Sequence, residues 1–467
     1  MFLDLINKKE DKVKDFDMGD KIGYAFGDIG CALFFGFVSN YLMLFYTDVL
    51  GITAASVGTL FIVARIWDAI KDTIMGTLID KKGNTKYGKF RPYVVWFGIP
   101  LVIVGIICFT AFPLPQNLKL PFAYITYITF GMLYTAVNIP YGSLASVMTS
   151  DPNQRTSLSV FRNMGSLVGN MFVLLVVPMV VFNSENIATA KGFLTCAIII
   201  GILSLTSLLL TFRLTRERVV SVNASKSSVG ETVKTLFKNR AFIGISLASF
   251  TLMGSMFTIQ SLTAYLFKDY FKAPNLIGIG GMLGILSSFL VIPFSGHIVK
   301  KLGKKETAVC GAIFSAVIYA IMFFIPNLNV YVYMTLSFIG GLGSGLINTI
   351  IYALVSDAID YQEYISGKRN EGMVYSSYSL ARKLSQALSG GIGGFALAFL
   401  GYEAGVAEQL PEVGIGIKNI AIGVSLVGLI LTALILLFVY NLSKKRLAEV
   451  QGELEKRKAN EATESNI

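Results

Sequence analysis

The sequence predicts an all-α membrane protein of twelve transmembrane helices, arranged as two pseudo-symmetric six-helix halves with both termini in the cytoplasm. Three observations carry this expectation. Of 467 residues, 54% are hydrophobic and only 15% charged, against about 25% charged in a soluble protein, and mean hydropathy is +0.63. The apolar residues gather into runs of roughly 19–28 residues, long enough to cross a bilayer as tilted helices. The loops between runs alternate between lysine- and arginine-rich and poor.

Taken in order, the runs lie at roughly 22–46, 56–79, 92–112, 121–147, 158–182, 192–212, 241–267, 275–298, 307–325, 330–357, 374–400 and 420–440. Residues 1–21 are a mixed-charge cytoplasmic segment with no apolar stretch that would read as a cleavable leader. The first six spans make an amino-terminal half, 22–212. A polar, Ser/Lys-rich linker, 213–240, separates it from the second half, 241–440, and a charged tail, 441–467, reads as a cytoplasmic helix that frays. With the amino terminus inside, the cytoplasmic stretches hold roughly 30 of the 40 lysines and arginines, and the opposite loops about five. The net charge of +11 is therefore a topology signal, not a nucleic-acid footprint. The four cysteines, Cys31, Cys108, Cys196 and Cys310, sit in apolar spans without a CxxC pair and read as small core residues. His297, the only histidine, reads as a loop residue at a membrane edge.

An internal repeat supports the two halves. Gly76 to Gly83 follows the second span, and Gly296 to Gly303 follows the eighth, offset by about 220 residues. The first copy resembles the Gly-x-x-x-Asp-x-x-Gly loop of the major facilitator superfamily, and the second has Lys300 where the first has Asp80. The resemblance implies the major facilitator fold.

Ionisable residues inside spans are few, and each is a candidate for function because a charge at the bilayer centre costs at least about 2.5–3.5 kcal/mol. The second span carries Arg65, Asp68, Lys71 and Asp72. Arg65, Asp68 and Asp72 fall at i, i+3 and i+7, on one helical face that Lys71 edges. Two carboxylates one turn apart in a membrane suit a cation site. At 1.5 Å per residue, Asp28, Asp68, Asp72, Asn138 and Lys383 lie roughly 9–16 Å from the cytoplasmic end of their spans, and Arg162 roughly 6 Å. Such residues can converge on one cavity. Asp28 also reads as an interfacial helix-start residue, and Arg162 as a snorkelling side chain. Arg382 and Lys383 point about 100° apart, so only one faces the cavity squarely.

At these residues the chain resembles the glycoside–pentoside–hexuronide:cation symporters. The likeness runs through Tyr41 to Val49, Arg65 to Gly76, Gly88 to Pro92, Asn138 to Leu144, Asp357 to Glu363 and Arg369 to Gly372. It implies a secondary transporter in the cell membrane that imports a sugar or glycoside with H⁺ or Na⁺ and uses no cofactor. By the same resemblance, Asp68 and Asp72 form the cation site, a Na⁺ site included, with Thr135 nearby. Tyr134, Arg162 and Lys383 line the sugar cavity, and Ser379 stands where the family pattern has threonine. Asp28 lies one turn before Ala32, where the pattern has a sugar-binding aspartate. Asn138 and Gly142 replace a sugar-binding aspartate and a tryptophan. Lys71 replaces an asparagine beside the cation, which favours H⁺ over Na⁺. The competing expectation is an exporter, or a carrier of a lipid-like or other non-sugar solute. No metal-ligand spacing, nucleophile motif or phosphate loop points to an enzyme.

Overall fold

The structure is a computed structural model that describes residues 15–81, 85–218, 239–367, 371–406 and 408–464. Among them there is no strand, only two isolated bridges, Thr85 with Gly88 and Phe182 with Ala188. Helix α1, Met18–Leu44, begins at a capping box in which Asp17 and Asp20 accept from each other's backbone N–H at 3.3 and 3.2 Å. It runs into a π-helical turn, Phe45–Val49. Helix α2 spans Ala54–Lys81, α3 Arg91–Trp96, α4 Gly98–Cys108, α5 Gln116–Met148, α6 Pro152–Val181 and α7 Ala190–Leu214. Then follow α8, Arg240–Tyr265, a second π-helical turn, Leu266–Tyr270, α9, Ile277–Leu302, and α10, Lys304–Phe324. The last are α11, Val330–Ser366, α12, Glu371–Phe399, α13, Pro411–Phe438, and α14, Lys444–Glu464.

Ten helical segments among the described residues are long and apolar enough to cross a membrane. Helices α2 and α12 have spanning length, 28 and 29 residues, but fall outside that set. In α2, Arg65, Asp68, Lys71 and Asp72 dilute the apolar run, and in α12 Arg382 and Lys383 do the same. The helices least suited to lipid are thus those carrying most of the candidate charges.

The structure corrects several expectations. The third span is broken at Phe97 into α3 and α4. Pro100 has no N–H to give the Trp96 carbonyl, so the ladder restarts at Gly98. The loop expected around His297 is absent: α9 continues to Leu302, and His297 is an exposed helix residue. Only Gly303, at φ +109°, separates α9 from α10, a turn that favours glycine. Cys31, Cys108 and Cys196 are buried, but Cys310 is exposed. The tail forms α14, whose Val450 and Leu454 are buried in an apolar cluster with Tyr378, Tyr440 and Leu442.

The chain divides into two compact units: residues 1–224 with 267–279 and 394–413, and residues 225–266 with 280–393 and 414–467. In the first, α1 packs along α6 and α7, and α5 against α2, α3 and α4. In the second, α10 and α11 are the main pair and α8 lies against α11.

Candidate functional site

Within the first unit, two charged groups stand on apolar helices. On α2, the Lys71 ammonium donates to Asp68 Oδ1 at 2.6 Å, and Arg65 lies 3.6 Å from Asp68 Oδ2. Lys71 is buried, with 6% of its surface exposed. The space for it is made by α5, where a Cβ on Gly131 would come within 2.9 Å of Lys71 Nζ and 3.2 Å of Asp68 Oδ1. The ring of Phe61 on α2 meets Tyr127 on α5 at 5.2 Å, holding the two helices at this level. Thr135, one turn further along α5 from Gly131, is buried. The side chains of Asp72 and Ser379 lie outside the described residues. Among the described residues no group of three or more His, Cys, Asp or Glu side chains is placed to hold a metal ion.

The second group joins α1, α5 and α6. Arg162 Nε donates to Asp28 Oδ1 at 3.1 Å, and its guanidinium sits 5.3 Å from the centre of the Tyr141 ring. Tyr141 stacks on Tyr24 at 4.8 Å and donates its hydroxyl to the Tyr24 carbonyl at 2.7 Å. Asp28 therefore has an inter-helical partner, and Arg162 turns into the unit, half exposed. A Cβ on Gly142 would meet only Arg162 Nη1, at 3.8 Å, so open space adjoins the guanidinium. Tyr134 is half buried between Phe35 and Phe130, with ring centres at 5.9 and 6.1 Å. Asn138 is half buried, and among the described residues no hydrogen bond engages its amide.

In the second unit, Lys383 is exposed on α12. Its neighbour Arg382 donates to the Tyr352 hydroxyl of α11 at 2.7 Å. Tyr378, one turn earlier, accepts from the Ser249 hydroxyl of α8 at 3.2 Å. Sequence reasoning chose Lys383 over Arg382 and did not anticipate the Arg382–Tyr352 contact, which no spacing in either helix reveals.

Sequence reasoning also missed the buried ionic group at the end of α1. Lys268 pairs with Asp48, whose Oδ1 also accepts from Tyr402 at 2.8 Å and from Thr47 at 2.8 Å. These residues lay at the predicted ends of spans, where polar side chains are expected to meet water. Glu217 was missed too. Its carboxylate accepts from the backbone N–H groups of Lys89, Phe90 and Arg91 at 2.7–2.8 Å, capping α3 from a distant segment.

Comparison with known proteins places this architecture. The family model described as MFS/sugar transport protein matches residues 23–444. An isoprimeverose transporter of Lactiplantibacillus pentosus is 34% identical over 439 residues, covering 92% of this chain and 91% of its own. A glucuronide carrier protein homolog of Escherichia coli K12 is 31% identical over 444 residues, covering 94% and 95%. Among solved structures, a D-xylose–proton symporter matches with a TM-score of 0.63 at 13% identity, over 91% of this chain and 98% of that one. A nucleoside transporter matches with a TM-score of 0.62 at 14% identity, over 90% and 99%. The fold is that of the major facilitator transporters.

Proposed function

We propose that this chain, which belongs to the glycoside–pentoside–hexuronide:cation symporter family of the major facilitator superfamily, imports a sugar or glycoside together with a cation. The family is one of multi-pass membrane transporters, not enzymes. In the finer reading, α2 and α12 also cross the plasma membrane, giving twelve spans with both termini in the cytoplasm. Their length supports this, as does the bias of lysine and arginine to alternate loops.

The coupling cation in this reading is H⁺. The observation that carries it is the Lys71 ammonium, 2.6 Å from Asp68. Adjacent carboxylates in a low-dielectric site cannot both stay ionised cheaply. The tethered ammonium neutralises Asp68, and Na⁺ would have to displace it. A proton needs only to neutralise a carboxylate in place. Asp68 and Asp72 then carry the coupling charge, with Lys71 and Thr135 beside them. The sugar is held in the first unit by groups that can pair with hydroxyls: the Asn138 amide, the Arg162–Asp28 pair and the Tyr134 face; the family resemblance adds Lys383 and Ser379. Open space beside Gly142 admits a sugar ring near Arg162.

The test is uptake of a panel of labelled pentosides, hexosides and hexuronides into right-side-out vesicles. Concentrative uptake of at least one, dissipated by a protonophore, is expected. A chain that binds a sugar without accumulating it, or accumulates none of the panel, contradicts the reading.

A further inference from the structure

Three helices of the second unit enclose a space that sugar transport does not use. Helices α10 and α11 pack backbone to backbone: a Cβ on Gly311 would come within 2.7 Å of the Gly343 carbonyl oxygen. Helix α9 meets α11 closely at one level, where a Cβ on Gly345 would come within 2.9 Å of the Ser288 Cα. Beyond Ser288, towards the Gly303 turn, a cavity of about 540 Å³ opens between the three helices, a volume in the range of small-molecule sites.

The wall that α9 gives this groove is one helical stripe, Leu290, Phe294 and Ile298, at i, i+4 and i+8. The stripe is roughly 12 Å long. Leu290 and Phe294 are 46% and 65% exposed, so the groove is open along α9. Of the lining side chains only Thr307 and Cys310 carry a polar atom, and the Thr307 hydroxyl donates to the Gly303 carbonyl at 2.6 Å. Such a wall leaves the hydroxyls of a sugar without partners, which is costly. An alkyl chain meets no such cost and loses apolar surface to the wall.

The end of the groove at Gly303 is basic. Lys304 pairs with Asp357 at 2.6 Å, and Lys305 donates to the Leu437 and Tyr440 carbonyls at 3.0 and 2.6 Å. Lys444 of α14 donates to the carbonyls of Lys300 and Lys301 at 2.9 and 3.2 Å. The last carbonyls of α9 thus already have their cation. Glu306, the acid on this turn, accepts from the Lys444 backbone N–H at 3.4 Å. Lys300 and Lys301 are exposed, and among the described residues neither ammonium pairs with a carboxylate. Lys301 lies three residues after Ile298, at the head of the lining stripe.

We infer that the groove between α9, α10 and α11 binds one acyl chain of an anionic phospholipid, whose phosphate is held by Lys300 and Lys301. Helices α9 and α10 are both long and apolar enough to cross a membrane. In a bilayer the groove therefore lies at acyl depth and the turn at head-group level. Basic pockets between spanning helices suit acidic lipid heads. The groove orders one chain and the two ammonium groups select the head, which sets this lipid apart from the bulk.

The test is photochemical. The full chain, in phosphatidylcholine vesicles, is irradiated with a phospholipid probe carrying a diazirine on one acyl chain. The probe bears either a phosphatidylglycerol or a phosphatidylcholine head, and adducts are mapped by peptide mass spectrometry. Adducts within residues 290–314 should be about 10-fold or more richer with the glycerol head, since each lysine near the surface favours an anionic lipid about fivefold. Lys300→Gln with Lys301→Gln, both at exposed positions, should abolish that preference and leave the melting temperature near the parent's. Leu290→Trp fills the groove from an exposed position and should remove adducts there with either head. Equal adducts from the two heads would make the occupant bulk lipid and overturn the inference. A preference that survives loss of both lysines, or adducts confined to other segments, would overturn it as well. Labelling needs neither sugar nor a cation gradient, so its outcome is independent of whether the chain accumulates any of the sugar panel.

Discussion

A side chain at position 131 would collide with the Lys71 ammonium, and this makes Gly131 the residue through which α5 acts on the candidate cation site. The ammonium is the far end of a flexible side chain, so Gly131→Ala should be absorbed by a small shift. Gly131→Val adds two methyl groups that the lysine cannot avoid without leaving Asp68. Losing that charge-assisted bond removes about 1.5–3 kcal/mol, and concentrative sugar uptake should fall roughly 10-fold or more in the valine variant and little in the alanine variant. Equal uptake in both, at matched expression, would show that Gly131 does not support the pair. Asn138 is the complementary case. Its amide offers both a donor and acceptors to a sugar hydroxyl. Asn138→Ala should weaken substrate affinity by roughly 10-fold while leaving the melting temperature near the parent's. Unaltered affinity with a lowered melting temperature would make it an interhelical packing residue instead. At this scale the sequence was informative about which residues matter and silent about their partners. Charges inside apolar runs announce themselves by cost, which is how Asp28, Arg162, Asp68 and Lys71 were found. That Arg162 reaches Asp28, 134 positions away, depends on how α1 and α6 pack, and no local spacing encodes it.

At the scale of elements, most helices were legible because apolar runs of spanning length have few alternatives in a bilayer. Their ends were not. Helix α11 extends to Ser366, well past the apolar run that predicted it, because its last turns are polar and stabilised by contacts with α14. Among these, Arg457 donates to the Tyr364 carbonyl at 3.0 Å. The break at Phe97 did have a signal, Gly98 and Pro100 together, within an otherwise continuous apolar run. The π-helical turns had none. The short helix α3 shows how a distant residue completes an element. Its first N–H groups have no partner within the helix, and Glu217 accepts three bonds from Lys89, Phe90 and Arg91. An acceptor in this place does the work of an N-cap side chain, whose removal costs about 0.5–2 kcal/mol. Glu217→Ala should therefore lower the melting temperature in detergent, with Glu217→Gln intermediate because it keeps acceptor oxygen but loses charge. A melting temperature unchanged in both variants would show that solvent satisfies those groups equally well.

At the scale of the whole molecule, the account is that one family fold has been given a built-in cation. The repeat of glycine pairs and of π-helical turns gives the two halves a common plan, and the charges on α2 break that symmetry, since the equivalent stretch of α9, Ile285 to Ile292, carries no charge. Under the proposal, coupling is thereby confined to the first half, where Lys71 is buried against Asp68. In the proposed reading, sugar accumulation follows the proton gradient and the ammonium excludes Na⁺. The measurement that tests this most directly is uptake of a transported sugar at fixed pH, with and without Na⁺, in the parent and in Lys71→Asn. The account predicts uptake in the parent that is driven by an imposed pH gradient and little changed by Na⁺, with Na⁺ stimulation appearing in Lys71→Asn. Strong Na⁺ stimulation of the parent, with no gain in Lys71→Asn, would contradict it.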